Sequence, residues 1–154
     1  MVLSNQEQIC FQRAIALARL ADESHNLPIG AVITLRGEII AEGKNAIWSP
    51  ERSLWRHAEM EALQTIPVCL REVTREMTLL TTLEPCLMCA GAILLHGIGR
   101  VLFGSEDPYG GVSSALDTLP PFFMAQISGI QWIGPILPEL CDPLYERVRL
   151  LENR

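Results

Sequence analysis

The order in which strand-like and helix-like segments alternate constrains this chain more than any other feature. Ile29–Leu35 is a continuous run of β character, Arg36-Gly37 is a turn pair, and Glu38–Glu42 runs back, which predicts a hairpin. Met77–Thr82, Arg100–Gly104 and Ile130–Ile133 are three further runs of the same kind. Helix-periodic segments separate them. Residues 5–22 place Cys10, Ala14, Leu17 and Ala21 on one stripe, with Asn5 as the candidate N-cap. His57 to Ile66 repeats Ala58, Ala62 and Ile66 four residues apart, and Pro67 ends or kinks it. Cys86 to His96 is stopped by Gly97. Pro138–Leu151 reads as a last helix that Pro143 would interrupt, and residues 44–56 and 105–128 read as loops. Strands alternating with helices in this way predict an α/β fold. The expected form is a three-layer α/β/α sandwich around a five-stranded mixed sheet, mostly parallel with a hairpin edge.

Composition narrows the class. A length of 154 residues with 49% hydrophobic and 19% charged side chains fits a single domain over 1–154 with a real core, and it excludes disorder. Twelve basic against 18 acidic residues, a net charge of −6, excludes a general nucleic-acid coat. The first residues lack a basic stretch followed by an apolar one, and no apolar run is long enough to cross a membrane, so no membrane partner is expected. Five cysteines, two of them in a C-x-x-C, point to metal or redox chemistry in a reducing cytoplasm and away from a disulfide framework.

Two junctions carry the residues with metal chemistry. One is His57-Ala58-Glu59; the other is Pro85-Cys86-Leu87-Met88-Cys89. Cys86 and Cys89 stand three apart in the first turn of a helix, so both sulfurs leave one face, and a helix N-terminus favours the thiolate that binds Zn²⁺. With His57 they make three protein ligands; catalytic zinc sites keep the fourth position for water. Glu59, two residues after a ligand, is then placed to take a proton from that water and deliver it to a substrate nitrogen. Taken singly, each piece has a plainer meaning. A lone C-x-x-C serves metal, redox or packing, a lone His at a helix start need bind nothing, and a first-turn Glu is favoured by the helix dipole alone. The joint pattern reads as a zinc hydrolytic site.

At these residues the chain resembles the zinc-dependent cytidine/deoxycytidylate deaminase superfamily, with its H-x-E…P-C-x-x-C signature. It is most similar to the branch of bacterial tRNA adenosine deaminases and guanine and cytosine deaminases. Ile29–Ile33, Gly43-Lys44-Asn45, His57-Ala58-Glu59, Thr82–Ala92 and Gly99–Gly104 carry the likeness. The resemblance implies a cytidine deaminase-like fold, a homodimer or larger oligomer, and a Zn²⁺ cofactor held by His57, Cys86 and Cys89. It implies Glu59 as the proton shuttle, Asn45 as a hydrogen-bonding partner of base or sugar, and Ala58 with the Thr82–Glu84 turn lining the pocket. The implied reaction replaces an exocyclic ring amine by a carbonyl and releases ammonia.

The substrate is read from the departures. Relatives acting on purines often carry Asp-Pro-Thr-Ala before the His-Ala-Glu; here the residues are Ser53-Leu54-Trp55-Arg56. Ser105–Tyr109 is acidic and Leu151–Arg154 lacks a basic cluster, whereas an anticodon loop brings phosphates that need cations. A free nucleobase or nucleoside is therefore preferred over tRNA, although Arg52, Arg56, Arg71, Arg75 and Arg100 leave a local basic patch open. A zinc-stabilised interaction module without catalysis is the reading from another class, and Glu59 argues against it. Trp48 and Trp55 are candidates to stack on a base, or to fold over the core or a dimer contact. Tyr109, Phe122 and Phe123 stand where relatives close the pocket, and read equally as interface or core. Cys10, Cys69 and Cys141 read as structural.

Overall fold

A computed structural model describes residues 2–153 of the chain. Helix α1 (Asn5–Glu23) is followed by strands β1 (Gly30–Leu35) and β2 (Glu38–Lys44), helix α2 (Ala58–Gln64), β3 (Met77–Leu83), α3 (Leu87–His96), β4 (Arg100–Ser105), α4 (Pro121–Ile127), β5 (Gln131–Ile133) and α5 (Pro138–Glu152). The N-cap of α1 is Ser4, one residue before the expected Asn5. Its hydroxyl accepts from Glu7 N–H while the Glu7 carboxylate accepts from Ser4 N–H. This reciprocal pair is worth about 1 kcal/mol and outcompetes an Asn one residue later.

The sheet order is β2-β1-β3-β4-β5, with the hairpin at one edge as expected. It is evenly mixed and not mostly parallel: β1 pairs antiparallel with both β2 and β3, while β3–β4 and β4–β5 are parallel. The reason is the crossover. The connection through α2 returns β3 in the direction of β2 but docks it on the far side of β1, so β1 opposes both neighbours. Alternate residues serve the two faces. Ala31, Ile33, Leu79 and Val101 join Ala58, Ala62 and Ile93 from α2 and α3. Val32, Leu80 and Leu102 join Phe11, Ala14 and Leu17 from α1. Helix α5 starts with Cys141 against Gly104, and Arg147 reaches Asp22 of α1, so α1 and α5 share a face. The result is the three-layer α/β/α sandwich.

Two glycines set the layer spacing. A Cβ on Gly30 would stand 2.1 Å from Ala14 O of α1, and one on Gly43 would stand 2.0 Å from Ala58 O of α2. Both helices therefore lie against bare backbone.

Three local expectations change. Residues 68–76 and 113–118 form 3-10 turns, and the stretch expected to be irregular over 105–128 also contains α4. Pro143 lies inside an unbroken α5. As the sixth residue it forgoes one hydrogen bond, to Glu139 O, and the rest of the helix continues past it. Cys69 is exposed and packs in no core, whereas Cys10 and Cys141 are buried as expected.

Candidate active site

The chemistry-bearing residues converge at the carboxyl ends of the parallel strands, where open α/β sheets place their ligands. β3 ends at Leu83, and Glu84-Pro85 turns the chain into α3, whose N-cap is Cys86. His57 is the N-cap of α2. Both caps have extended backbone (ψ 155° for His57 and 172° for Cys86), which turns each side chain outward from the first helical turn toward the other. His57 Nδ1 lies 3.6 Å from Cys86 Sγ and 3.5 Å from Cys89 Sγ. All three donor atoms fall within 4.8 Å of one another.

These separations test whether the group fits zinc. Tetrahedral Zn–N and Zn–S bonds of ordinary length put nitrogen and sulfur about 3.5 Å apart. The two nitrogen–sulfur distances match that value, and one imidazole with two thiols is a borderline-soft set suited to zinc. His57, Cys86 and Cys89 are thus positioned to hold a metal and supply three ligands.

Electrostatics in the site couples its members. A hydrogen bond from the Cys89 thiol, aided by His57 and opposed by burial, brings the Cys86 thiol down to about 4. Cys89 is pushed up by its bond to Cys86 and by burial. Burial would lower the His57 pKa, but the hydrogen bond to Cys86 and the charges of Glu59, Cys86 and Glu152 raise it. Metal ligation requires both sulfurs as thiolates, so binding a cation here is coupled to proton release.

Glu59 is buried in the first turn of α2. Its Oε1 accepts from Thr81 Oγ1 at 3.2 Å, and its Oε2 accepts from Cys89 Sγ at 3.5 Å. Burial, then the Cys86 charge, raises its pKa above the ordinary carboxylate value.

His57, Glu59 and Cys86 line a cavity of about 80 Å³ together with Leu27, Ile29, Leu83, Glu84, Asp107, Gly110 and Glu152. Glu84 is on this wall, yet its carboxylate is engaged elsewhere: Oε2 accepts from Asp107 N–H at 3.0 Å and Oε1 from Ser113 N–H at 2.7 Å. It holds the 107–113 loop across the Pro85-Cys86 turn, and Val112 N–H donates to Pro85 O there. Gly111 is required because a Cβ would stand 2.2 Å from the Glu84 carboxyl carbon.

Asn45 is buried beside this wall. Its backbone N–H donates to Ile29 O, and its Oδ1 accepts from Ile47 N–H. Its Nδ2 has no partner among the described residues. Ala58 is fully buried. Trp48 and Trp55 are 37% and 67% exposed, and neither lines the cavity. Tyr109 is exposed, and Phe122 and Phe123 pack edge-to-face at α4, away from this wall. Sequence reasoning did not single out Asp107, Glu152 or Thr81. The alternation of β3 puts Thr81 on the α2 face, the only sequence signal any of them gave.

Residues 4–105 match the family described as the cytidine and deoxycytidylate deaminase zinc-binding region. The chain belongs to this family of zinc-dependent hydrolytic deaminases. It is 42% identical over 115 residues to a tRNA-specific adenosine deaminase of Bacillus subtilis (strain 168), covering 74% of this chain and 71% of that one. Among solved structures it resembles one from a study of A-to-I editing by tRNA:A34 deaminases at the wobble position of transfer RNA. The TM-score is 0.74 at 28% identity, covering 89% of this chain and 99% of that one. It shares its fold with a guanine deaminase from Nitrosomonas europaea (TM-score 0.73, 21% identity, 96% and 86% of the two chains).

Proposed function

We propose that the chain, as one deaminase domain, hydrolyses the exocyclic amine of a nucleobase ring, with a free base or a nucleoside as substrate. Ring amine and water become ring carbonyl and ammonia. The observation that carries the substrate class is the cavity lining. Beyond His57, Cys86 and Glu59 its lining residues include Glu84, Asp107 and Glu152 and no Lys or Arg, a negative setting that disfavours phosphate.

Each residue has a part. His57, Cys86 and Cys89 would hold the zinc ion, whose chemistry there would be Lewis-acid activation of water at neutral pH. Glu59, buried and with its pKa raised, moves one proton from water to the ring nitrogen and then a second, from the added hydroxyl, to the departing amine as the carbonyl forms. Thr81 fixes one oxygen of that carboxyl group. Asn45 offers its unpaired Nδ2–H to a ring or sugar oxygen. Leu27, Ile29 and Leu83 supply apolar wall to the ring.

A second copy would dock on the apolar groove formed by Leu87, Ala90, Gly91, Leu94, Leu119, Pro120 and Phe123, which starts one residue from Cys86. No helix among the described residues is long and apolar enough to cross a membrane, and with five unpaired cysteines we place the protein in the reducing cytoplasm.

The 42% identity with a tRNA-specific adenosine deaminase favours a second reading, adenosine-to-inosine conversion in tRNA. Ammonia release from guanine, adenine, cytosine, their nucleosides and a tRNA anticodon stem-loop tests both. Turnover of a base or nucleoside that is insensitive to salt supports the first. Turnover of the stem-loop alone, falling steeply between about 50 and 200 mM salt, supports the second and ends the first.

A further inference from the structure

We propose that Glu84 is a positioning residue for the deamination: its one carboxyl group clamps both ends of the 107–113 loop and so fixes the wall of the cavity against which the substrate ring is held. The role rests on the deaminase reading of the site and on no choice among base, nucleoside and tRNA.

Packing alone does not order this loop. From 107 to 113 only Asp107 and Val112 are buried. That is little apolar cover to set against the entropy of fixing seven residues, so hydrogen bonds must supply the rest. Tyr145 Oη donates to Asp107 Oδ1 and Val112 N–H donates to Pro85 O, each fixing one point. Glu84 spans the loop. It follows the last residue of β3, its own N–H donates to Ser105 O of β4, and it is 5% exposed, so its base is rigid. Oε2 accepts from Asp107 N–H at 3.0 Å at one end, and Oε1 accepts from Ser113 N–H at 2.7 Å at the other. Inside these ends, Gly111 N–H donates to Asp107 O and Tyr109 N–H to Asp107 Oδ1. The closed loop then lines the cavity with Asp107 and Gly110, alongside His57, Glu59 and Cys86.

The geometry separates positioning from contact. Turning either oxygen of Glu84 toward a substrate would leave a loop N–H without its partner, a loss that a single new bond does not repay. Gly111 gives independent access to the same clamp. A Cβ there would stand 2.2 Å from the Glu84 carboxyl carbon, 2.3 Å from its Oε2 and 2.6 Å from Asp107 O. Gly111 is not one of the residues lining the cavity. An added methyl at 111 therefore pushes the loop off Glu84 while leaving the carboxyl group in place.

The test compares wild type with Glu84→Gln, Gly111→Ala and the double variant. Ser105→Ala is the stability control, since it removes the 2.6 Å bond from Ser105 Oγ to Asp142 at the neighbouring strand end and leaves the loop alone. Kinetics use whichever of guanine, adenine, cytosine, their nucleosides and a tRNA anticodon stem-loop the wild type deaminates. Zinc is measured by elemental analysis and amide hydrogen exchange by mass spectrometry. Glu84→Gln and Gly111→Ala should each raise KM by about 10-fold, with kcat within about threefold of wild type and zinc at a full equivalent. Exchange should quicken over 107–113 in both, and the double variant should be no worse than the worse single one. Ser105→Ala should keep the wild-type KM and loop exchange. A higher KM in Glu84→Gln alone, without faster loop exchange, would make Glu84 a substrate contact and overturn the positioning role. Unchanged KM in both single variants, additive losses in the double variant, or a fall in kcat with loss of zinc would overturn it as well, and each leaves the deaminase reading standing. Zinc-loaded wild type that releases ammonia from none of these substrates ends the deaminase reading, and this role with it.

Discussion

Substituting Gly43 by Ala tests whether the position of the metal ligands is set by how closely α2 lies on the sheet. The added Cβ would stand 2.0 Å from Ala58 O, 2.5 Å from Ala62 N and 3.0 Å from Glu61 Cβ. Ordinary contact begins at 3.4 Å, and two of these atoms are helix backbone that cannot rotate away. Helix α2 must therefore lift by about 1 Å or more, at a cost of about 1–3 kcal/mol for overpacking. That lift acts on His57 and Glu59, the N-cap and a first-turn residue of the same helix. A misplacement of about 1 Å costs on the order of 10²-fold in rate. Gly30→Ala is the matched control. Its Cβ meets Ala14 O of α1 at 2.1 Å, a clash of the same size with a helix that carries no ligand. Thermal melts, bound zinc by elemental analysis and ammonia release are compared for both. Both variants should melt lower by similar amounts, while only the Gly43 variant loses zinc and activity beyond its loss of stability. Gly43→Ala with full zinc and activity, or Gly30→Ala losing zinc equally, would refute the coupling.

Three further outcomes are expected. Glu59→Ala should retain a full equivalent of zinc and lose ammonia release by about 10²- to 10⁴-fold, which elemental analysis and a coupled ammonia assay read together. Cys86→Ala removes one of three ligands and the group nearest a thiolate, and zinc measured after gel filtration should fall well below one equivalent. Glu42 is lowered below 4.5 by its hydrogen bonds from Arg13, so its contribution to stability is complete above that value and is lost as pH falls through the folded value. Urea melts from about pH 6 to 3 should show declining stability, with a shallower decline for Glu42→Gln. An unchanged slope would remove Glu42 from the acid response.

Much of this was legible because it is local. The ligand set follows from short spacings at two helix starts, and a helix start reads in sequence through what precedes and follows it. The hairpin read from Arg36-Gly37, whose two residues take the left-handed conformation (φ 52° and 88°) that a tight turn demands. What sequence hid depended on long-range packing. The direction of β3 follows from which side of β1 it docks, and no residue of β3 announces that. Helix α4 is a single short element in a stretch rich in Pro and Phe, too brief for periodicity to show. Glu84 reads as a pocket residue from its place beside Cys86, yet the loop it holds is formed by Asp107 and Ser113, whose contact with it exists only once β4 lies beside β3.

The same distinction explains why the wall of the cavity escaped while its floor did not. His57, Cys86 and Cys89 must keep fixed spacings to bring three donor atoms within 4.8 Å of one another, and Glu59 meets Cys89 from the same helix start as His57. Glu152 and Asp107 need only reach the cavity, and they do so through the anchoring of α5 by Tyr145 and of the 107–113 loop by Glu84. A wall built from separately anchored segments can change its charge without disturbing the metal ligands. The acids on this wall are therefore the positions at which this chain can differ in charge from another that keeps the same three ligands.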